Sequence, residues 1–501
     1  MTGIVSPLWL TVLIVLPLAG TGVCLLLAGA PRLCRGAALA TTLAVFAVAL
    51  RLFVLLKGSH GRWLLLYADH PWIPRFGIRY TLGLDGLSLL MVLLTAFLLV
   101  IAVLVSWREI DSRLPFHYGL LLLLEAGVLG VFLSLDLVLF YLFWELMLIP
   151  MFFLIGIWGQ GRRIYAAVKF FLFTFAGSLL MLLAILALYL FHGRQTGDYT
   201  FALLALQGTH LPAGLAPWLY AAFLLAFAIK VPLFPVHTWL PDVYTQAPSA
   251  VILAGLLLET GVYGILRFAI PLFPEAARAS FPLLAGLALI GIFYAAWIAY
   301  AQKDAKRLVA YSSVAHLGFV ALGLAAWDRV ALEGSILQMV NHGITTGALF
   351  VMIGMIDARA KTRQLDQLGG LWGKAPRLGG LFLLFSLAAI GLPGLNNFVG
   401  EILILIGTFQ SHPLWGAVAM GGVVFAAIYI LRLLKGVLWG PARSDAPFPD
   451  LTLREALILV PLAVLVFWLG LYPTTFLAPI HEPVQHLLHG LPLVALKGGM
   501  P

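Results

Sequence analysis

The stretch LYAAFLLAFAIKVPLFPVHTWLPD, Leu219 to Asp242, begins as an apolar helix and then breaks the rules of one. Lys230 stands near its middle, Pro232 and Pro235 follow, and His237 comes next. A lysine at the bilayer centre costs about 2.5–3.5 kcal/mol on insertion scales. Each proline also removes a backbone donor from the helical ladder. Irregular backbone is tolerated at that depth only where it faces protein or a wet cavity. The stretch therefore predicts an interrupted membrane helix built around a polar site.

The rest of the chain agrees with a membrane reading. Of 501 residues 62% are apolar and 10% charged, whereas soluble domains carry about 25% charge. A membrane span needs about 20 apolar residues. The sequence offers fourteen such runs, near 7–29, 33–56, 82–105, 115–133, 136–158, 167–191, 216–238, 249–270, 280–301, 308–326, 331–356, 377–410, 413–439 and 453–472. They are called spans 1 to 14 below. The expected fold class is an all-α polytopic membrane protein, one membrane domain over residues 1–501 with no long polar linker. The longest hydrophilic stretches are 57–81, 192–215 and 357–376. The opening MTGIVSP has no Lys or Arg, unlike a secretory signal, so span 1 reads as a retained helix.

Charge orients the spans. Of 30 Lys and Arg, 19 follow odd-numbered spans, 10 lie on the opposite side and Lys230 belongs to neither. By the positive-inside rule this puts both termini on the outer, periplasmic side of the cell's inner membrane. The net charge of +9 is thus an orientation signal spread over short loops, not a nucleic-acid footprint. The two cysteines, Cys24 and Cys34, form no CxxC or CxxCH, and no GxGxxG follows a strand. Nothing here is suited to hold iron–sulfur, haem, flavin or dinucleotide, so no cofactor and no redox centre is expected in this chain. His481, His486 and His489 near the C-terminus lack metal-ligand spacing and read as a surface tail, part of a short amphipathic segment.

A second interruption lies in span 12, AAIGLPGLNNFVGE, with Gly391, Pro393, Gly394 and then Glu401. If one five-span unit starts at span 4 and the next at span 9, spans 7 and 12 are each fourth in their unit. Paired interruptions of this kind point to inverted repeats, here spans 4–8 and 9–13. The expected divisions are residues 1–113, 114–270, 271–440 and 441–501.

Intramembrane ionisable groups are functional candidates by default. Glu145, about nine residues into span 5, reads as a counter-ion to Lys230. A carboxylate within about 4–6 Å keeps an amine charged and its withdrawal releases the proton; the plain alternative is an ion pair stapling two helices. In span 10, Ser312, Ser313 and His316 fall within one turn. In span 11, Ser335, Gln338, His342 and Thr345 form a polar stripe. Such a stripe either organises water for proton hopping or glues helices together. Glu401 follows the second break, with Asn397 one turn before it. Asp85 and Asp136, at span starts, read as helix caps. Glu125 and Lys169 stay between the two readings.

These motifs resemble a known family: the antiporter-like membrane subunits of proton-pumping NADH–quinone oxidoreductase, respiratory complex I, and within it the M type, related to mitochondrial NADH dehydrogenase subunit 4. The resemblance runs over about residues 80–440. It rests on DLVLFYLFWELMLIPMFFLIGIWG, KFFLFTFAGSLLML, AFAIKVPLFPVHTWLPD, QKDAKRLVAYSSVAHLGF and GLPGLNNFVGE. It implies fourteen helices, two inverted repeats and a proton path on which Glu145, Lys230, His316, His342 and Glu401 match family positions, with His237, Gln338, Ser312 and Asn397 in support. L- and N-type relatives resemble the chain but carry a lysine at the position of Glu401. The resemblance also implies L- and N-type chains as partners in the bilayer, with flavin, iron–sulfur clusters and quinone in other subunits. One departure stands out. In span 8 the chain is two residues shorter after Ala250 than the family pattern, and Glu259 stands where the family has a lysine. A buried Glu can still carry a proton, so Glu259 joins the path as a candidate, and Lys230 is expected to have two acidic neighbours. Rival readings are a subunit of a multi-chain cation/proton antiporter, a membrane-bound hydrogenase or formate-oxidising complex, or a scaffold that no longer pumps.

Overall fold

The structure is a computed structural model that describes residues 6–57, 63–254, 257–441 and 448–489. Twelve described helices are long and apolar enough to cross a membrane. Two shorter apolar helices, Ala216–Lys230 and Pro376–Ile390, begin spans 7 and 12. The termini, whose sidedness the charge pattern addresses, and residues 442–447 and 490–501 of the last division lie outside the described residues.

The helices sort into two rings. Spans 3 (Gly86–Glu109), 4 (Leu114–Leu133), 8, 10 (Ala305–Ala326) and 11 (Arg329–Ala360) are buried along most of their length. Spans 1 (Leu8–Leu26), 2 (Pro31–Leu56), 6 (Arg163–Thr196), 9 (Pro274–Ala301), 13 (Pro413–Val437) and 14 (Leu453–Leu471) leave large apolar faces outside. Leu172 and Leu183 of span 6 and Val424 of span 13 are among those exposed side chains. With no water in the bilayer core, an outward apolar face is the stable arrangement. The polar side chains collect in the inner ring.

Aspartates set where inner helices begin. Asp85, Asp136, Asp304 and Asp328 each cap a helix by accepting from its first amides, which satisfies donors that have no partner inside the helix. Asp85 and Asp136 therefore do what their positions predicted. Prolines set where helices bend. Pro150 has no amide to reach the carbonyl of Leu146, and span 5 divides into Leu137–Leu146 and Leu148–Trp158. Pro271 has none to reach Arg267, and span 8, after Ser249–Ala254 and Leu257–Gly264, takes a π turn over Ile265–Ala269.

The stretch 57–81 is not a plain polar loop. Leu64–Ile73 and Ile78–Asp85 form an antiparallel hairpin, β1 and β2, with Leu66 opposite Leu84 and Ala68 opposite Leu82. Span 3 therefore starts at Gly86 and not near 82. The prolines and charges of the hairpin obscured its alternation of inward Leu66, Ala68, Leu82 and Leu84. The C-terminal helix Thr474–His489 packs beside the hairpin, buries Phe476, Ile480 and Val484, and stacks His486 on Trp63 at 4.4 Å. The amphipathic reading of this segment thus fits the described residues; Gly490 and Leu491 lie outside them. Hairpin and helix together cover one end of the bundle, called the hairpin end below.

Asp69 and Arg79 clamp the hairpin through two hydrogen bonds of 2.7 and 2.8 Å, and Thr81 adds a third to Asp69 at 2.8 Å. Partial burial works against the Asp69 carboxylate, but the Arg79 and Thr81 bonds outweigh it and hold its pKa below the ordinary value. A depressed carboxylate stabilises the fold above the unfolded pKa, about 3.9, and loses that contribution as pH falls through the folded value. Asp69→Asn should therefore loosen the hairpin at neutral pH by about 0.2–1 kcal/mol, the range for a partly exposed pair. Limited proteolysis of the 58–85 connection should show faster cleavage for the variant at pH 7, and a shrinking difference as the parent is acidified below pH 4.

Candidate functional site

The break in span 7 follows from its prolines. The helix Ala216–Lys230 stops at Lys230, and Trp239–Gln246 resumes it. The freed backbone is satisfied locally: Trp239 Nε1 donates to Ile229 O at 2.8 Å and Leu233 N to Ala228 O at 2.9 Å. Lys230 is fully buried. Its Nζ has no hydrogen-bond partner among the described residues. It lies instead over the rings of Trp144 at 5.0 Å and Phe170 at 5.6 Å, a cation–π setting that holds an amine weakly.

Glu145, half-buried on span 5, acts on Lys230 through space but makes no ion pair with it within 4 Å. Tyr141 and Ser178 stand beside its carboxylate. Glu145 thus stays the acidic neighbour of Lys230 without a direct ion pair. The second acidic neighbour is corrected. Gly261, not Glu259, faces Lys230, and a Cβ on Gly261 would lie 2.9 Å from the Lys230 Cβ. Gly261 and Gly264 let span 8 close on span 7, which turns Glu259 away toward span 11.

There Glu259 Oε1 meets His342 Nδ1 at 2.8 Å, both side chains buried. A cavity of about 20 Å³ touches both groups, with Tyr244 and Thr346 among its lining residues. That is room for about one water. A second dyad repeats the chemistry: His316 Nδ1 lies 2.9 Å from Glu401 Oε1, and Gln338 Nε2 donates to the same oxygen at 3.2 Å. The Nε2 atoms of both histidines have no partner among the described residues. Each dyad can hold one proton between carboxylate and imidazole and offers a free ring nitrogen to pass it on.

The break in span 12 carries the second dyad. Pro376–Ile390 ends at Gly391, and Asn396–Ser411 begins after Leu395. Gly391 and Gly394 have φ of 82° and 93°, values open to glycine and strained for other residues. Asn396 sews the break to span 11. Its Nδ2 donates to Thr345 Oγ1 at 2.9 Å and to Asn341 O at 3.3 Å, and Asn341 Nδ2 donates to Asn396 O at 2.9 Å.

Several expected supports fall elsewhere. Asn397 is buried, but neither side-chain polar atom has a partner among the described residues, so its neighbour Asn396 holds the site. Ser312 donates to Val309 O of its own helix at 2.7 Å and does not join the His316 dyad. His237 packs against the rings of Phe234 and Tyr294. Gln338 takes its expected place. Asn341 and Asn396 were not singled out from the sequence; their position at the break, beside the stripe of span 11, is the signal that could have found them. Glu109 was passed over as well: it accepts from the Ser249 and Ala250 amides at 2.7 and 3.0 Å and caps span 8. Glu125 is fully buried and neither of its carboxylate oxygens has a partner among the described residues.

Two broken helices, an open buried lysine and two Glu–His dyads define a class: a polytopic membrane protein of the antiporter-like fold. The profile of the family described as "NADH:quinone oxidoreductase/Mrp antiporter, TM" matches residues 134–427. The chain is 46% identical over 429 residues to NADH-quinone oxidoreductase subunit M of Escherichia coli (strain K12), covering 84% of each. It also superposes on a chain of respiratory complex I from Thermus thermophilus with bound NADH. The TM-score is 0.85 at 34% identity, over 96% of this chain and 99% of that one. The Mrp complex of Dietzia sp. DQ12-45-1b shares the fold at TM-score 0.81 and 23% identity, over 98% of this chain and 56% of that one. This chain belongs to the NADH:quinone oxidoreductase/Mrp antiporter membrane family.

The hydrogen bonds of Asn396 separate it from Asn397. Asn396→Ala removes the donor to Asn341 O and to Thr345 Oγ1, and should lower the melting temperature of the assembled, detergent-solubilised complex by an amount matching about 0.6–2 kcal/mol. Asn397→Leu, which removes two unpartnered polar atoms, should leave that temperature unchanged or raise it.

Proposed function

We propose that this chain is the M-type, proton-translocating membrane subunit of NADH–quinone oxidoreductase. Quinone reduction takes place in partner subunits, which hold the flavin and iron–sulfur clusters, and this chain carries no redox centre. It lies in the inner membrane beside L- and N-type antiporter-like chains, with the hairpin end outward and both termini on that side. Spans 4–8 and 9–13 act as the two halves of the path.

The observation that carries the reading is the pairing of an open, buried Lys230 at one break with two Glu–His dyads. Lys230 takes a proton from the basic side of the membrane through the break in span 7. Its partner Glu145 sets its charge: approach of the carboxylate favours the ammonium, and withdrawal favours release in a site lined by Trp144 and Phe170. The released proton reaches the Glu259–His342 dyad and passes to the His316–Glu401 dyad. In that sequence Glu259 replaces a fixed cationic carrier by a neutral-or-anionic one, and His342 supplies the positive charge when the dyad is loaded. Asn396 and Gln338 position the second dyad and carry no proton themselves.

Proton pumping driven by NADH in membrane vesicles tests the reading. Lys230→Ala and Glu259→Gln, each in an assembled complex, should cut pumping several-fold. Unchanged proton-to-electron stoichiometry and rate in both variants would exclude these residues from the path.

A further inference from the structure

The outer end of span 8 holds a cluster that the path above does not use. Tyr263 and Arg267 follow Glu259 at steps of four on the same helix, with Arg267 in the π turn Ile265–Ala269. Arg267 makes a buried ion pair with Asp85 at the start of span 3. Its Nε donates to Tyr263 Oη at 3.1 Å, and its Nη2 lies 3.5 Å from Ser88 Oγ. Immediately beyond lies a cavity of about 230 Å³, touched by Asp85, Arg267, Trp63, Trp327 and His486 and rimmed by the exposed Arg278. It opens at the hairpin end and has room for several waters. Glu259 therefore sits only about two helical turns, roughly 12 Å, from an open pocket. A proton on Glu259 has a short route out that would bypass the second dyad.

The directions of the hydrogen bonds close that route. A carbonyl only accepts, so Tyr263 Oη spends its single hydrogen on Phe132 O, at 2.9 Å. The same oxygen then accepts from Arg267, and its 3.2 Å contact with Ser88 Oγ must be a bond donated by the serine. The bonds on Tyr263 Oη run toward it and end on a backbone carbonyl, which cannot relay a proton, while the Asp85 carboxylate on the cavity side is held by Arg267. Phe132 packs edge-on against Tyr263 at 5.1 Å, and Phe268 lies tilted against Phe140 at 4.1 Å, so rings flank the helix at this level. Arg267 adds a charge that does not titrate, and a fixed arginine repels protons in a narrow polar passage. A buried pair held only for stability needs neither the terminal tyrosine nor its place between a carboxyl and an open cavity.

We infer that Arg267, Asp85, Ser88 and Tyr263 form a proton seal, which shuts the hairpin end of span 8 beneath Glu259 and forces protons sideways through His342. The inference rests on the reading of Glu259 as a proton carrier. No bond is made or broken by the seal; it acts because the Tyr263 hydroxyl ends on a carbonyl and the Arg267 cation stands between Glu259 and the Asp85 carboxylate.

Purified complex in proteoliposomes tests it. NADH oxidation, the steady-state pH gradient, and passive proton uptake under an imposed potassium diffusion potential without NADH are measured together. Arg267→Met should raise passive uptake several-fold and collapse the gradient while NADH oxidation continues. Arg267→Lys, which keeps the charge, should stay tight. Tyr263→Phe leaves the helix packing in place but removes the terminal acceptor, and should leak to a smaller extent; it decides alone if Arg267→Met does not assemble. Adding Glu259→Gln to the leaking variant should quench the leak. A leak that survives Glu259→Gln keeps the seal and removes Glu259 as its source. Passive uptake at the parent level in every assembled variant overturns the seal, as does loss of pumping without leak, which would make the cluster an exit.

Discussion

A peptide group in hydrocarbon has no water to bond. Every departure from a continuous helix in this chain must therefore be repaired by protein, and the repairs decide where charge can live. At the break in span 7, Trp239 takes up a freed carbonyl. At the break in span 12, Asn396 and Asn341 bind each other's backbone. These anchors leave room for one lysine at the first break and one glutamate at the second without exposing bare backbone to lipid. The two-ring arrangement serves the same constraint: apolar outer spans shield an inner ring in which caps, breaks and polar side chains are concentrated.

Within that ring, the pairing of groups matters more than their number. Lys230 is held over aromatic rings and apart from Glu145, while Glu259 and Glu401 each hold a histidine at hydrogen-bond distance. An open amine and a closed dyad answer differently to a neighbouring charge. The amine can gain or lose a carboxylate partner, and the dyad can shift one proton between two bases. Glycine at 261 and 264 is what separates these roles, since it brings span 8 onto span 7 and turns Glu259 to the far side.

The hairpin end shows how one residue type can serve opposite purposes. Asp328 caps its helix, Asp136 caps one and also accepts from the Arg79 amide of the hairpin at 3.1 Å, and Asp85 caps span 3 and also pairs with Arg267 beside an open cavity. The same carboxylate thus fixes a helix start and anchors the cation that stands between that cavity and the interior.

Much of the architecture was legible in the chain alone. Long apolar runs and proline breaks report directly on transfer to lipid, because each depends on residue type and spacing within one span. The helix caps at Asp85 and Asp136 are equally local. Partners across helices are not, because they depend on rotation about the helix axis. One residue of helical phase separates Asn396 from Asn397 and Gly261 from neighbours that face elsewhere, and composition is blind to it. The hairpin hid for a related reason: two short strands interrupted by prolines give a weak alternation until they are paired. Residue order alone is enough for a membrane protein broken at Lys230 and before Glu401. That Lys230 stands open, that Glu259 answers to His342, and that Arg267 lies between that pair and the cavity at the hairpin end emerges from the packing, because side-chain distance is set by how helices pack and not by how residues follow one another.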